Sequence, residues 1–210
     1  MYFRLLFSSA YNKELGPLLP LFDTTRERVS FAVPQKFALP AASKAELKLP
    51  FKGLISSLDI GYHSSSWQSD GATEHYAATF FQVPNYYCVF SDINSSLKPN
   101  YARRAFPSWD EPNLKATFKV TLVSRSNTVN LSNMHILSET PLLSLQDSEM
   151  FPSLKNTDGD WKVTRFDITP PMSTYSLAFA NGNFAFLERS VTMPSKKTIP
   201  VRFYSKMACT

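Results

Sequence analysis

The sequence predicts an all-β fold, an antiparallel β-sandwich or saddle-shaped sheet. Apolar residues alternate with polar ones in short runs along the chain, and no long segment sustains a 3.6-residue apolar repeat. The 210 residues also hold 15 prolines and only 6 glycines, where average usage would give about 10 and about 15. Prolines so frequent and so dispersed break long helices and suit short strands.

In chain order, Val29, Phe31 and Val33 alternate with Ser30 and Ala32 until Pro34 stops the run. Leu47, Leu49 and Phe51 interleave with Lys48, Pro50 and Lys52, a half-buried strand that Pro50 places at an edge or a bulge. Tyr76, Ala78 and Phe80 make the next strand. Phe118, Val120 and Leu122 follow against Lys119 and Thr121, then Val129 with Leu131. Trp161 and Val163 share one parity and Phe166 and Ile168 the other, which predicts a bulge or a strand covered on both sides. Tyr175, Leu177 and Phe179 predict a strand, Asn181-Gly182-Asn183 a turn, and Phe184 with Phe186 the return. Ile199, Val201 and Phe203 close the set, giving roughly eight or nine strands. No internal repeat and no flexible linker divides them.

Val83–Tyr101 carries no usable periodicity. Structureless stretches of this length are usually functional or disordered, and the aromatic residues of this one make a poor disordered linker.

With 22 Lys+Arg against 17 Asp+Glu the net charge is +5, and the pI is about 9.2. The excess is dispersed, and Arg103-Arg104 and Lys196-Lys197 are the only adjacent basic pairs. Nucleic acid is therefore not an expected partner, since a phosphate-tracking surface needs a basic stripe. No stretch is apolar over the ~20 residues that span a bilayer, so no membrane span is expected. Cys88 and Cys209 make neither a disulfide framework nor a zinc ribbon. Met1–Ala10, interrupted by Arg4, is too short for a secretory h-region. Both point to the cytoplasm. Asn94-Ser95-Ser96 and Asn130-Leu131-Ser132 read as glycosylation acceptors, which would matter only in a secreted chain.

Catalytic signatures are scarce. His63, His75 and His135 belong to no HExxH helix, and the sequence contains no GxSxG, no GxxxxGK[ST] and no GxGxxG. A Ser-His-Asp triad assembles in space, and no spacing here singles one out. The densest segment is Ala102–Thr117, ARRAFPSWDEPNLKAT. A turn at Pro107 would bring Arg103 and Arg104 to Asp110 and Glu111 as a charge-zipped structural corner. Pro112 pushes Glu111 out of helical geometry, and Phe106 and Trp109 supply an apolar underside. Two carboxylates also suggest acid-base catalysis, but neighbours on an extended chain face opposite ways.

ARRAFPSWDEPNLKATFKVTL closely resembles the ARRAFPC(F/W)DEPxxKATFxxxL signature of zinc aminopeptidases of the aminopeptidase N and puromycin-sensitive type, with Ser108 where those proteins usually carry Cys. Ser43–Trp67, LSNM at Leu131–Met134, Phe166–Phe184 and Lys196–Ser205 resemble further blocks of that family in the same order. The resemblance implies its N-terminal β-domain over residues 23–205, incomplete at its start and interrupted by extra sequence at about 83–101, such as a translated intron. Residues 1–22 then form a divergent segment.

The same resemblance implies that GxMEN and HExxH, with the catalytic zinc, belong to a following domain. The 210 residues reach Thr210 before either motif. The chain is therefore expected to hold no metal or other cofactor itself, to meet a peptide substrate only beside a catalytic domain, and to be inactive alone. Gln82 aligns with the family residue that contacts the substrate's free amine, and it reads equally well as a polar end of a strand. A stand-alone β-sandwich module binding protein or glycan is the alternative function.

Overall fold

Strands make up nearly all the regular structure of the computed structural model, which describes residues 3–6, 14–33, 46–69, 71–81, 101–142 and 160–206. The chain divides into two compact units, Met1–Leu54 and Ile55–Thr210. The first contains β1 (Phe3–Leu6), β2 (Glu14–Leu18), β3 (Pro20–Asp23), β4 (Arg28–Phe31) and β5 (Glu46–Lys48). Strands β2, β1 and β5 form one antiparallel sheet, and β3 and β4 form a hairpin. The Asp23 carboxylate accepts hydrogen bonds from Thr25 Oγ1 at 2.6 Å and the Arg26 amide at 3.1 Å, which closes the hairpin turn. Buried Leu18 packs against Phe31 and Leu47. Strand β5 ends before Pro50 and β4 ends at Phe31, both earlier than the alternation implies. Strands β1 to β3 carry no such alternation in the sequence.

The second unit holds β6 (Gly61–Ser69), β7 (Ala72–Phe80), β8 (Lys119–Arg125), β9 (Val129–Ser132), β10 (Ile136–Pro141), β11 (Trp161–Ile168), β12 (Phe179–Gly182), β13 (Phe184–Thr192) and β14 (Thr198–Lys206). They form a four-stranded sheet β6-β7-β12-β9, a three-stranded sheet β10-β11-β8 and a two-stranded ribbon β13-β14. Every strand pairing is antiparallel, in agreement with the predicted all-β class. No helix among the described residues is long and apolar enough to cross a membrane.

Strand β11 is paired on both edges, and both its faces are covered as well. Val163 and Thr164, of opposite parity, are each fully buried, and the register slips between Arg165 and Ile168 against β8. The parity switch of the sequence is thus both a bulge and two-sided burial. Two expectations fail nearby. Thr174–Ser176 is a 3-10 turn, so β12 starts only at Phe179. Asn181 and Gly182 lie inside β12 and do not turn a hairpin; the chain leaves for the ribbon at Asn183. Gly182 is there because a Cβ would sit 2.6 Å from the Cβ of Tyr76 on β7.

The two larger sheets share one core. Phe81, Ala102 and Leu177 are buried with Phe118, Val120 and Phe179 packed against them. Beside this apolar cluster runs a polar seam. Asn130 on β9, 2% exposed, donates from Nδ2 to Ser124 Oγ on β8 and to Thr164 Oγ1 on β11, each at 2.8 Å. Its Oδ1 accepts from Asn181 Nδ2 at 2.8 Å, and Thr164 Oγ1 donates onward to Glu139 Oε2 at 2.7 Å. Burial works against the Glu139 carboxylate. The hydrogen bonds from Thr164 and Lys162 and the Lys162 charge outweigh it, and they hold its pKa below the ordinary value. Replacing Asn130 with Ala removes one hydrogen bond each from Ser124, Thr164 and Asn181 and leaves a buried gap. The expected loss is about 2 to 4 kcal/mol in a urea titration, well above that of an exposed Asn113→Ala control.

Candidate functional site

The segment singled out by its charges, Ala102–Thr117, folds as a corner against the main core. Phe81, just past β7, is 2% exposed and packs edge-on against Phe106 and Phe179, with centroids 5.9 and 6.2 Å away. Ala102–Arg104 forms a 3-10 turn whose Ala102 is fully buried. Gly61 at the start of β6 has φ +71, and a Cβ there would sit 2.9 Å from the Cβ of Arg104, so only glycine lets β6 pass the turn.

Asp110 is the corner's centre, its side chain 1% exposed. Its Oδ2 accepts from the Arg103 amide and from Arg103 Nε, both at 3.1 Å, and its backbone oxygen accepts from Arg103 Nη2 at 3.0 Å. Its Oδ1 accepts from Thr174 Oγ1. Arg103 spends the side of its guanidinium on the residue's side chain and main chain together, which an ammonium could not match. Ser173 Oγ donates to the Pro112 carbonyl. Ala116 and Met172 exchange two backbone bonds at 3.1 and 2.9 Å, and Thr169 Oγ1 accepts from the Phe118 amide at 2.9 Å. The corner is thereby zipped along residues 169–174.

A third sequence block closes the assembly. Ser132 Oγ donates to the Ala178 carbonyl at 3.0 Å, Asn133 Nδ2 donates to the Ser176 carbonyl at 3.0 Å, and Asn133 Oδ1 accepts from the Ala178 amide at 2.7 Å. The blocks at Ala102–Thr117, Leu131–Met134 and Phe166–Phe184, separate in sequence, hold one another in space.

Of the corner residues named from sequence, the structure joins Arg103 to Asp110 and seats Pro112 as the acceptor for Ser173. Arg104 is exposed, its guanidinium 5.4 Å from the Tyr101 ring centroid, and Glu111 is exposed as well. Trp109 is 72% exposed, so only Phe106 belongs to the apolar underside. Thr174 and Ser173, which complete the clasp, lack any charge or spacing signal that would have found them. Ser108 Oγ is buried with no hydrogen-bond partner among the described residues. Asn130 is not a glycosylation acceptor in this fold, because its amide is buried and fully used. Gln82, Cys88, Asn94 and Cys209 lie outside the described residues, as does Val83–Tyr101 except for Tyr101 itself.

Among the described residues the donor set does not fit a catalytic zinc. His63 Nε2 lies 3.8 Å from Asp59 and His135 Nε2 lies 3.8 Å from Asp167, while His75 is exposed on β7. Among the described residues no group of three His, Cys, Asp or Glu side chains is placed to hold a metal ion, whereas a catalytic zinc takes three protein ligands and a water.

Two substitutions test the corner. Asp110→Asn is expected to cost about 3 kcal/mol of stability, read by thermal or denaturant melting, because Arg103 and Thr174 lose the anion they share. Ser108→Cys is expected to raise stability by about 1 kcal/mol, since a thiol tolerates the unpartnered site better than a hydroxyl.

Comparison with known proteins adds to this geometry. The family described as Peptidase M1 N-terminal domain matches residues 20–176. Aminopeptidase 2 of Candida albicans is 30% identical over 184 residues, which is 88% of this chain and 16% of that protein. The alanine/arginine aminopeptidase of Saccharomyces cerevisiae is 33% identical over 163 residues, 77% of this chain and 15% of that one. The puromycin-sensitive aminopeptidase of Caenorhabditis elegans is 31% identical over 163 residues, 73% of this chain and 14% of its own length. The chain thus spans only 14 to 16% of these relatives.

Proposed function

The chain belongs to the M1 peptidase family through its N-terminal domain, and on that premise we propose that it supplies the scaffold and a wall of the substrate cleft for a zinc-dependent aminopeptidase. The family match over residues 20–176 carries the reading, and the packing of Phe81 against Phe106 and Phe179 supports it by holding the chain just past β7. In this reading the zinc and its water, which polarise the scissile carbonyl, are held by residues outside these 210. The chain's own contribution is positional. Phe81, locked in the core, precedes Gln82 in the sequence. A Gln carbonyl there accepts a hydrogen bond from the ammonium of a peptide's first residue, more weakly than a carboxylate but without charge. Peptide is thus a partner only beside a catalytic domain. The chain by itself is inactive, and its two cysteines suit the cytoplasm.

Two measurements test this reading. The isolated chain, assayed on aminoacyl-naphthylamides with and without zinc, is expected to give no turnover, and chelator-sensitive cleavage overturns its inactivity. The chain grafted in place of the matching 163 residues of the yeast alanine/arginine aminopeptidase is expected to retain measurable activity. It should then lose about tenfold or more in kcat/KM on Gln82→Ala, the loss of one charge-assisted hydrogen bond. A folded graft with no activity, or one indifferent to Gln82, counts against the cleft-wall role.

A further inference from the structure

The β13-β14 ribbon has two unlike faces. On one, Phe186 stacks on Tyr204 with centroids 5.6 Å apart, and Arg202 lies over Phe186 at 5.4 Å while bonding Glu188. The hydroxyls of Thr192 and Thr198 meet there at 3.2 Å, and Phe186, 57% exposed, is the large apolar side chain that this face leaves to water.

The register puts Leu187 opposite Phe203, Arg189 opposite Val201 and Val191 opposite Ile199 on the other face. Leu187 is 58% exposed, Phe203 63% and Val191 43%. The same face runs to the tip, where the Met193 amide bonds the Lys197 carbonyl at 2.9 Å and Met193 is 43% exposed beside Lys196 and Lys197. The sequence from Arg189 to Lys206 contains no Asp or Glu. An uncovered two-stranded ribbon is marginal in water, and this face offers apolar side chains and cations together to a partner that is apolar in part and anionic.

We propose that this face docks peripherally on an anionic phospholipid surface. Arg189, Lys196 and Lys197 lie among the headgroups, and Leu187, Val191, Met193 and Phe203 sit at the acyl boundary. Nucleic acid would satisfy the cations and leave the Leu187–Phe203 pair in water. A second copy of the same face would set Arg189 and Lys197 against their own kind. This inference goes beyond the aminopeptidase reading and does not depend on it.

The experiment is co-sedimentation of the full chain with vesicles of phosphatidylcholine alone and of phosphatidylcholine carrying about one-third phosphatidylserine, at low and at physiological salt. Recruitment is expected with phosphatidylserine only, weakening as salt rises. The charge reversals K196E/K197E, on exposed side chains, are expected to reduce it about tenfold or more, since each cation near an anionic surface is worth roughly fivefold. Leu187→Ser with Phe203→Ser is expected to lower binding at both salt concentrations, with circular dichroism unchanged. Failure of phosphatidylserine vesicles to recruit the chain at low salt overturns the proposal. Equal binding of both vesicle types, or of K196E/K197E and wild type, does the same. So does an RNA oligonucleotide or self-association that takes up the ribbon while vesicles do not.

Discussion

A buried carboxylate organises the second unit. Asp110 is almost wholly removed from solvent, and a bare carboxylate there would cost several kcal/mol. Three bonds donated to the carboxylate, from the Arg103 amide, Arg103 Nε and Thr174 Oγ1, offset that cost. They do so only if the 3-10 turn at Ala102–Arg104 and the turn at Thr174–Ser176 are both in place. One charge therefore specifies the relative position of two irregular segments that no strand ladder fixes. Exposed pairs such as Arg202–Glu188 carry no comparable constraint, because either partner is satisfied by water.

The polar seam solves a different problem. Apolar packing of Phe81, Leu177, Phe118 and Phe179 holds two sheets together without choosing a register. Asn130 chooses it, since its amide has partners on β8, β11 and β12 at once and a shift of one residue would break all three bonds together.

Much of this was readable in the residues. The fold class followed from alternation and proline usage, and β7, β8, β9, β11 and β14 lie where alternating apolar residues put them. Strand β6 escaped notice because its inward positions are Gly61, His63, Ser65, Trp67 and Ser69. Their burial alternates as a strand's should although their chemistry does not. Strand β10 is an edge strand, ILSETP, with nothing apolar to alternate after Leu137. The Asn-Gly-Asn signal misled because Gly182 answers the crowding of Tyr76 and not a turn. At the corner, opposite charges seven residues apart foretold Arg103 with Asp110. Thr174, 64 residues from Asp110, is an ordinary hydroxyl until the fold closes.

That separation has a kinetic meaning. Strands β6 with β7, and β13 with β14, pair through short connections, and their contacts cost little loop-closure entropy. The bond from Thr174 to Asp110 requires the intervening chain, including all of β8 to β11, to be brought round first. The ribbons are then early structure and the corner forms later, while the docking of β12 on β7, where the Phe179 amide bonds Thr79 Oγ1 across 100 residues of sequence, closes more chain still.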